Sequence, residues 1–187
     1  MIRRKLSLAE CAARAAETLS KGILLTSCAG DKVNSMVIGW GTLGVNWNRP
    51  VFAAYVRVGR FTRELLDQNP EFTINMPLSE PDRNVIAVCG GKSGRDMDKL
   101  AACGLHTVPG ETVSVPALRE FPVTLECKVL YRQEQDPALL PEALQTRFYP
   151  ADKDSSFTGS NRDAHVTYFG EIVSAYVLEP EEGGDEA

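Results

Sequence analysis

The stretch NSMVIGWGTLGVNWNRPVFAAYVRVGRFT, residues 34–62, decides how the rest of the chain reads. Residues 33–42 form a strand-like run that sets small and polar groups beside Trp40. A Gly, Asn and Pro loop over 44–50 turns the chain back into an apolar strand, 51–56. That strand ends in charge: Arg57 and Arg60 precede Thr62, which fits the N-cap of a helix over 62–68. Guanidinium groups and free helix amides converging on one point make a candidate phosphate site.

Upstream, residues 22–28 are a short apolar run, and Ala29-Gly30-Asp31-Lys32 turns it into the first strand of that stretch as a hairpin. Before it, Ser7 and Glu10 fit a capping box, and Leu8, Cys11, Ala12, Ala15, Ala16 and Leu19 recur at helical spacing. Downstream, residues 72–75 read as a strand stopped by Pro77, and Pro81 near an N1 position opens a helix through Val88. Residues 96–103 read as a helix capped by Gly104, and Pro109, Gly110 and Pro116 mark a loop. Alternating apolar and polar residues predict a half-buried strand over 123–131 and another over 165–178, around Gly170. Between them lie a short helix within 137–147 and a polar excursion over 149–161. Residues 179–187 are an acidic, Gly-containing tail expected to be mobile, leaving one domain over 1–178.

Composition limits what such a chain can do. With 187 residues, 43% hydrophobic and 24% charged, it can bury a single sizeable core. A formal charge of −5 argues against a nucleic-acid partner. The basic opening is followed by Glu10 and Arg14 before any long apolar run, so a signal peptide and a membrane span are not expected, and the cytoplasm is. Five cysteines, widely spaced and without CxxC, support neither a disulfide framework nor a zinc site and read as small buried hydrophobes. Two histidines cannot build a histidine-rich metal centre, and no metal is expected. Cys89-Gly90-Gly91-Lys92-Ser93 ends like a nucleotide P-loop, but Ile86 stands where the motif's first glycine belongs and a helix precedes it. No GxGxxG and no Ser/His/Asp order or paired carboxylates are present, so Rossmann and hydrolase readings lack support.

The succession NSMVIGWG, YVRVGRFT, SGRDMDKL and HVTYFGEI is similar to the flavin reductase-like family of FMN-binding split β-barrel proteins, flavoredoxin-type members above all. The resemblance spans most of the chain. It implies a mainly β fold, a Greek-key barrel of about six antiparallel strands with peripheral helices, and a homodimer with FMN near the subunit interface. By matching position, it implies that Asn34, Ser35, Met36, Gly41 and Thr42 line the flavin and that Trp40 lies against its ring. Trp40 also fits a core tryptophan on a buried strand, but flanking glycines weaken a strand unless something approaches its backbone. Arg57, Arg60 and Thr62 are implied to hold the phosphate, the alternative being a solvated strand end with a helix cap. Ser93 and Lys99 are implied to approach the cofactor, Lys99 near the ring carbonyls; Lys99 equally fits a surface lysine paired with Asp96 or Asp98. His165 and Phe169 resemble residues of the family's last strand that approach the flavin, in the same subunit or its partner, although a lone histidine is more often structural.

The function implied is an FMN-dependent oxidoreductase that takes hydride from NADH or NADPH and passes electrons to a flavin, a small acceptor or a redox protein. No catalytic acid or base is obligatory in that chemistry. Two rivals stay open at this point: an electron carrier that holds FMN permanently without nicotinamide turnover, and a non-redox FMN-binding module.

Overall fold

The structure is a computed structural model that describes residues 1–150 and 163–181. Strand β1 (Ile2–Lys5) leads into helix α1 (Leu8–Thr18), and two hairpins follow, β2 (Ile23–Ala29) with β3 (Lys32–Ile38) and β4 (Gly41–Asn46) with β5 (Arg49–Arg57). Helix α2 (Phe61–Gln68) and strand β6 (Glu71–Met76) precede helices α3 (Arg83–Gly91) and α4 (Lys99–Cys103). Short strands β7 (Thr107–Val108) and β8 (Ala117–Leu118) pair with each other, and β9 (Val123–Glu134), helix α5 (Glu142–Phe148) and β10 (His165–Glu179) complete the chain.

The main sheet is antiparallel throughout, in the order β3-β2-β6-β9-β10-β5-β4, with β1 added along the far half of β10. The sheet has eight strands where the resemblance implies about six. The ends of the sheet curl together until β3 meets β5, so its concave face encloses a core. Alternation along the strands sends Leu25, Met36, Phe52, Val56, Phe72, Ile74, Leu125, Val166 and Tyr168 inward, and Cys11 and Ala15 of α1 close the cluster. Each such side chain, fully buried, contributes about 1.5–3 kcal/mol of transfer free energy. β2 is covered on both faces because its outer face carries Leu24 under a second cluster from α3, α4 and the loop after them, including Val85, Cys89, Leu100 and Leu105.

One buried carboxylate inside this frame is satisfied by several donors at once. Glu126 is fully buried, and burial works against its charge. The amides of Glu111 (2.6 Å) and Thr112 (2.7 Å), with the hydroxyls of Thr112 and Tyr176, nevertheless hold its pKa below the usual carboxylate range. The same carboxylate thereby fastens the loop between β7 and β8 to the sheet.

Several boundaries differ from the sequence reading. The predicted strand over 33–42 is two strands, broken at Gly39-Trp40, and the predicted loop over 44–50 is mostly strand. Its actual turn is the pair Trp47 (φ 51°) and Asn48 (φ 57°), the left-handed pair that matches hairpin twist. Thr62 is not a cap: Arg60 holds the N-cap position of α2, without a side-chain hydrogen bond, and Thr62 is buried one residue inside the helix. Asp82 caps α3 by accepting from the Asn84 amide, placing Pro81 outside the helix. α4 starts only at Lys99, capped by Asp98, and ends at Gly104 in the left-handed conformation, as expected. The helix foreseen within 137–147 is a single 3-10 turn followed by α5. Gly90 and Gly91 close α3 and form no phosphate loop. Most of the excursion at 149–161 lies outside the described residues, as do residues 182–187 of the tail; before them, the Glu181 carboxylate pairs with the Met1 amino group at 2.9 Å.

Candidate functional site

Where β3 passes into β4, it leaves a cleft against β5 and the start of β10. This pocket, about 160 Å³ in volume, is lined by Met36 and Gly39 of the β3 end, Trp40, Tyr55 and Arg57 of β5, Arg60, and His165, among others. Antiparallel pairing of His165 with Arg57 fixes the floor. Trp40 is neither core nor strand: it is 41% exposed at the rim, with Phe148 edge-on at 5.0 Å and His165 tilted against it at 5.3 Å.

The electrostatics of the cleft are cationic. Arg57 lies 5.8 Å over the Trp40 ring and 5.2 Å over that of Tyr149, and donates to the carbonyls of Asp163 and Phe148. Arg60 is half-buried, and among the described residues its guanidinium has no hydrogen-bond or ion-pair partner. Burial lowers its pKa, and Asp163 is the one carboxylate acting against that. Asp163 in turn accepts from the Gly59 amide at 2.6 Å. Lys99 is 3% exposed, with its Nζ 3.4 Å from the Cys89 carbonyl oxygen. Burial first, and then the neighbouring Arg60, bring the Lys99 pKa down to about 8, partly opposed by the Cys89 and Cys103 thiols. A surface lysine paired with Asp96 or Asp98 is thus ruled out.

His165 is 5% exposed, and its Nδ1 shares a 2.8 Å hydrogen bond with the Tyr149 hydroxyl. Burial, followed by Arg57 and Arg60, holds its pKa down at about 3, so the ring is neutral at any physiological pH. Burial likewise raises the pKa of Tyr149. Neutral His165 therefore orients a phenol; it does not add to the positive charge.

The predicted residues do not all meet in this cleft. Met36, Trp40, Arg57, Arg60 and His165 line it, and Lys99 is close enough to Arg60 to feel its charge. Asn34 and Thr62 form a buried pair behind it, Nδ2 donating to Oγ1 at 2.8 Å. Among the described residues the Asn34 Oδ1 has no partner, and Gly94 presses so close that an added Cβ would lie 2.2 Å from it. Ser35 turns its hydroxyl to Thr26, at 2.7 Å, on the opposite face of β3. Gly41 and Thr42 lie on β4 outside the cleft, and Gly41 is required by the Phe52 ring, 2.8 Å from where its Cβ would stand. Ser93 accepts from the Arg95 amide at 3.2 Å in the turn before α4. Phe169 shares a face of β10 with His165 but stands about 13 Å further along, against Tyr131 at 5.7 Å and Trp47 at 6.1 Å.

Sequence reading missed Tyr55, Phe148 and Tyr149. Tyr55 carries a usable signal, since it alternates with Arg57 on one face of β5. Tyr149 reaches His165 only through tertiary folding, which no spacing reveals.

Group by group, the cleft fits an anionic aromatic ligand: a guanidinium unpartnered among the described residues, a second guanidinium over the Trp40 ring and an exposed indole at the rim, with the Lys99 ammonium buried close by. A model of the family described as Flavin reductase like domain matches residues 17–184. An uncharacterized protein of Pyrococcus abyssi is 31% identical over 106 residues, covering 57% of this chain and 59% of that protein, so the match spans under two thirds of the relative's length. Flavoredoxin of Desulfovibrio vulgaris (Miyazaki F) superposes with a TM-score of 0.63 at 25% identity, over 84% of this chain and 69% of that one. Flavoredoxin of Methanosarcina acetivorans gives a TM-score of 0.61 at 25% identity, over 84% and 68% respectively.

Proposed function

The chain belongs to the Flavin reductase like domain family, and on that premise we propose that it is an oxidoreductase that holds FMN in the cleft between β3, β5 and β10 and passes electrons from NADH or NADPH to a second flavin or another acceptor. The observation that carries this reading is that Arg57 and Arg60 line one cleft beside an exposed tryptophan, with Lys99 buried close enough to Arg60 to feel its charge. A guanidinium unpaired among the described residues, at a helix start without a side-chain cap, is suited to a phosphate. Lys99, already costly to keep charged, gains a counter-charge when an anionic ring edge binds nearby, which favours the reduced form of the cofactor. Bound FMN would supply the chemistry, accepting a hydride and releasing electrons in pairs or singly. The protein's part is to fix its phosphate, set its electronics and limit access through Trp40, Phe148 and Tyr149.

The size of the cleft supports a homodimer. Ligand pockets commonly measure about 300–1,000 Å³, while this one holds about 160 Å³. One chain therefore encloses only part of a flavin nucleotide, and we assign the rest of the cover to a second copy. The outer face of β5, β9 and β10 offers Trp47, Tyr131 and Phe169 for that contact, two of them about half exposed. Sedimentation of the FMN-loaded protein as a dimer supports this; a monomer retaining FMN tightly refutes it. Among the described residues no helix is long and apolar enough to cross a membrane, and five unpaired cysteines suit the reducing cytoplasm, the compartment we propose.

Similarity to flavoredoxins favours one second reading, a carrier that keeps its FMN and receives electrons from a protein partner. Oxidation of NADH or NADPH by the purified protein with excess FMN decides between them. Rapid turnover supports the reductase, and slow turnover with tightly held flavin supports the carrier.

A further inference from the structure

Helices α3 and α4 pack against each other on the outer face of β2 and β3. Cys89 is fully buried in α3, in the same apolar cluster as Val85, Leu100 and Leu105, and Cys103 at the end of α4 packs against that cluster. Lys99 and Cys103 are four residues apart on α4 and so share a face. The Lys99 contact to the Cys89 carbonyl turns this face toward Cys89, so both cysteines sit in the one apolar seam between α3 and α4, where Cys103 helps to raise the pKa of Cys89. Their exposure differs. Cys103 lines a surface pocket of about 300 Å³ with Val85, Leu105 and Phe121 among its walls, whereas Cys89 lies behind it.

We infer that Cys89 and Cys103 are an oxidisable thiol pair that closes into a disulfide between α3 and α4 when hydrogen peroxide reaches Cys103. The Cys103 sulfur attacks one peroxide oxygen, the O–O bond breaks, and water leaves, giving a sulfenic acid. The Cys89 sulfur then attacks that sulfur, the S–O bond breaks, and the Cys89 proton leaves with the hydroxyl as a second water. Two thiols are oxidised by two electrons and one peroxide is reduced to two waters. Burial pushes the Cys89 thiol up to about 12, so Cys103 takes the first step, and the Lys99 ammonium favours ionisation of Cys89 in the second. The bond would tie together the two ends of the segment that carries Gly94 against Asn34, bracing the back wall of the cleft.

The test treats the intact protein with equimolar hydrogen peroxide, blocks free thiols with an alkylating agent under denaturing conditions, and maps the peptides by mass. The expected product lacks two hydrogens per chain and yields a linked peptide pair containing Cys89 and Cys103. Cys103→Ser, at a partly exposed helix end, is expected to leave Cys89 fully alkylated after the same treatment. Cys89→Ala is expected to stop Cys103 at the sulfenic acid, trapped by dimedone; should that variant not fold, the Cys103→Ser result decides alone. Recovery of both cysteines alkylated in the treated wild-type chain overturns the inference. So does over-oxidation of Cys103 beside a free Cys89, or linkage of either to a different cysteine.

Discussion

Arg60→Ala separates ligand binding from folding more cleanly than any other change in the cleft. Arg57 is engaged by the carbonyls of Asp163 and Phe148, so its removal also loosens the segments around it. The Arg60 guanidinium has no such partner among the described residues, and burial depresses its pKa. Holding that charge half out of water costs the free protein something that only a bound anion returns. A hydrogen bond to a charged group contributes about 1.5–3 kcal/mol, so losing it weakens FMN binding by about 10- to 150-fold. Riboflavin, identical except for the phosphate, is expected to change little. Calorimetric titration of wild type and Arg60→Ala with both flavins gives the comparison, and thermal unfolding of the free proteins should show the variant at least as stable. Equal loss of both flavins, or no loss of either, refutes the assignment of Arg60 to the phosphate.

Thr62→Ala leaves the buried Asn34 Nδ2 without its acceptor, a cost of about 1–3 kcal/mol that lowers the melting temperature by about 2–12 °C, while Thr62→Ser stays close to wild type. Because the folded pKa of Lys99, about 8, lies below its unfolded value, free-protein stability rises as pH climbs from about 8 toward 10.5. A ligand that needs the Lys99 charge shows the opposite trend: FMN affinity falls above pH 8, by at most about tenfold per pH unit, and Lys99→Met removes that slope. His165 has its folded pKa, about 3, below its unfolded 6.5, so the unfolded chain takes up a proton first and stability is lost as pH falls from 6.5 toward 3. His165→Gln should flatten that part of the profile, and the His165 ring resonances should not titrate between pH 5 and 9.

Much of the frame was legible because its strands carry apolar residues for the core: β2 and β5 as short apolar runs, β6 as a short strand stopped by Pro77, and β9 and β10 by strand pattern. β1 was not, since Ile2-Arg3-Arg4-Lys5 has no apolar alternation and is held by backbone pairing to β10. The break at Gly39-Trp40 was hidden because small residues on both sides of an aromatic read equally as strand or turn. In the cleft, Arg57 and Arg60 were legible as charge at a strand end, whereas Met36, Trp40 and His165 were placed by the family resemblance. What the sequence could not show is depth. Lys99 follows two acidic residues and looks solvated, yet α4 begins at that residue and turns its side chain inward toward Cys89. Ser35 and Asn34 are adjacent in sequence but face opposite sides of β3, so one belongs to an interior hydroxyl chain and the other backs the cleft.

Titration of the purified protein with FMN, followed by flavin absorbance and by tryptophan fluorescence, tests the binding of a flavin at this cleft most directly. The expected result is a saturable shift in the flavin bands at one FMN per chain, with quenching of Trp40 that is absent in Trp40→Leu. A flavin spectrum that stays that of free FMN throughout the titration would contradict it.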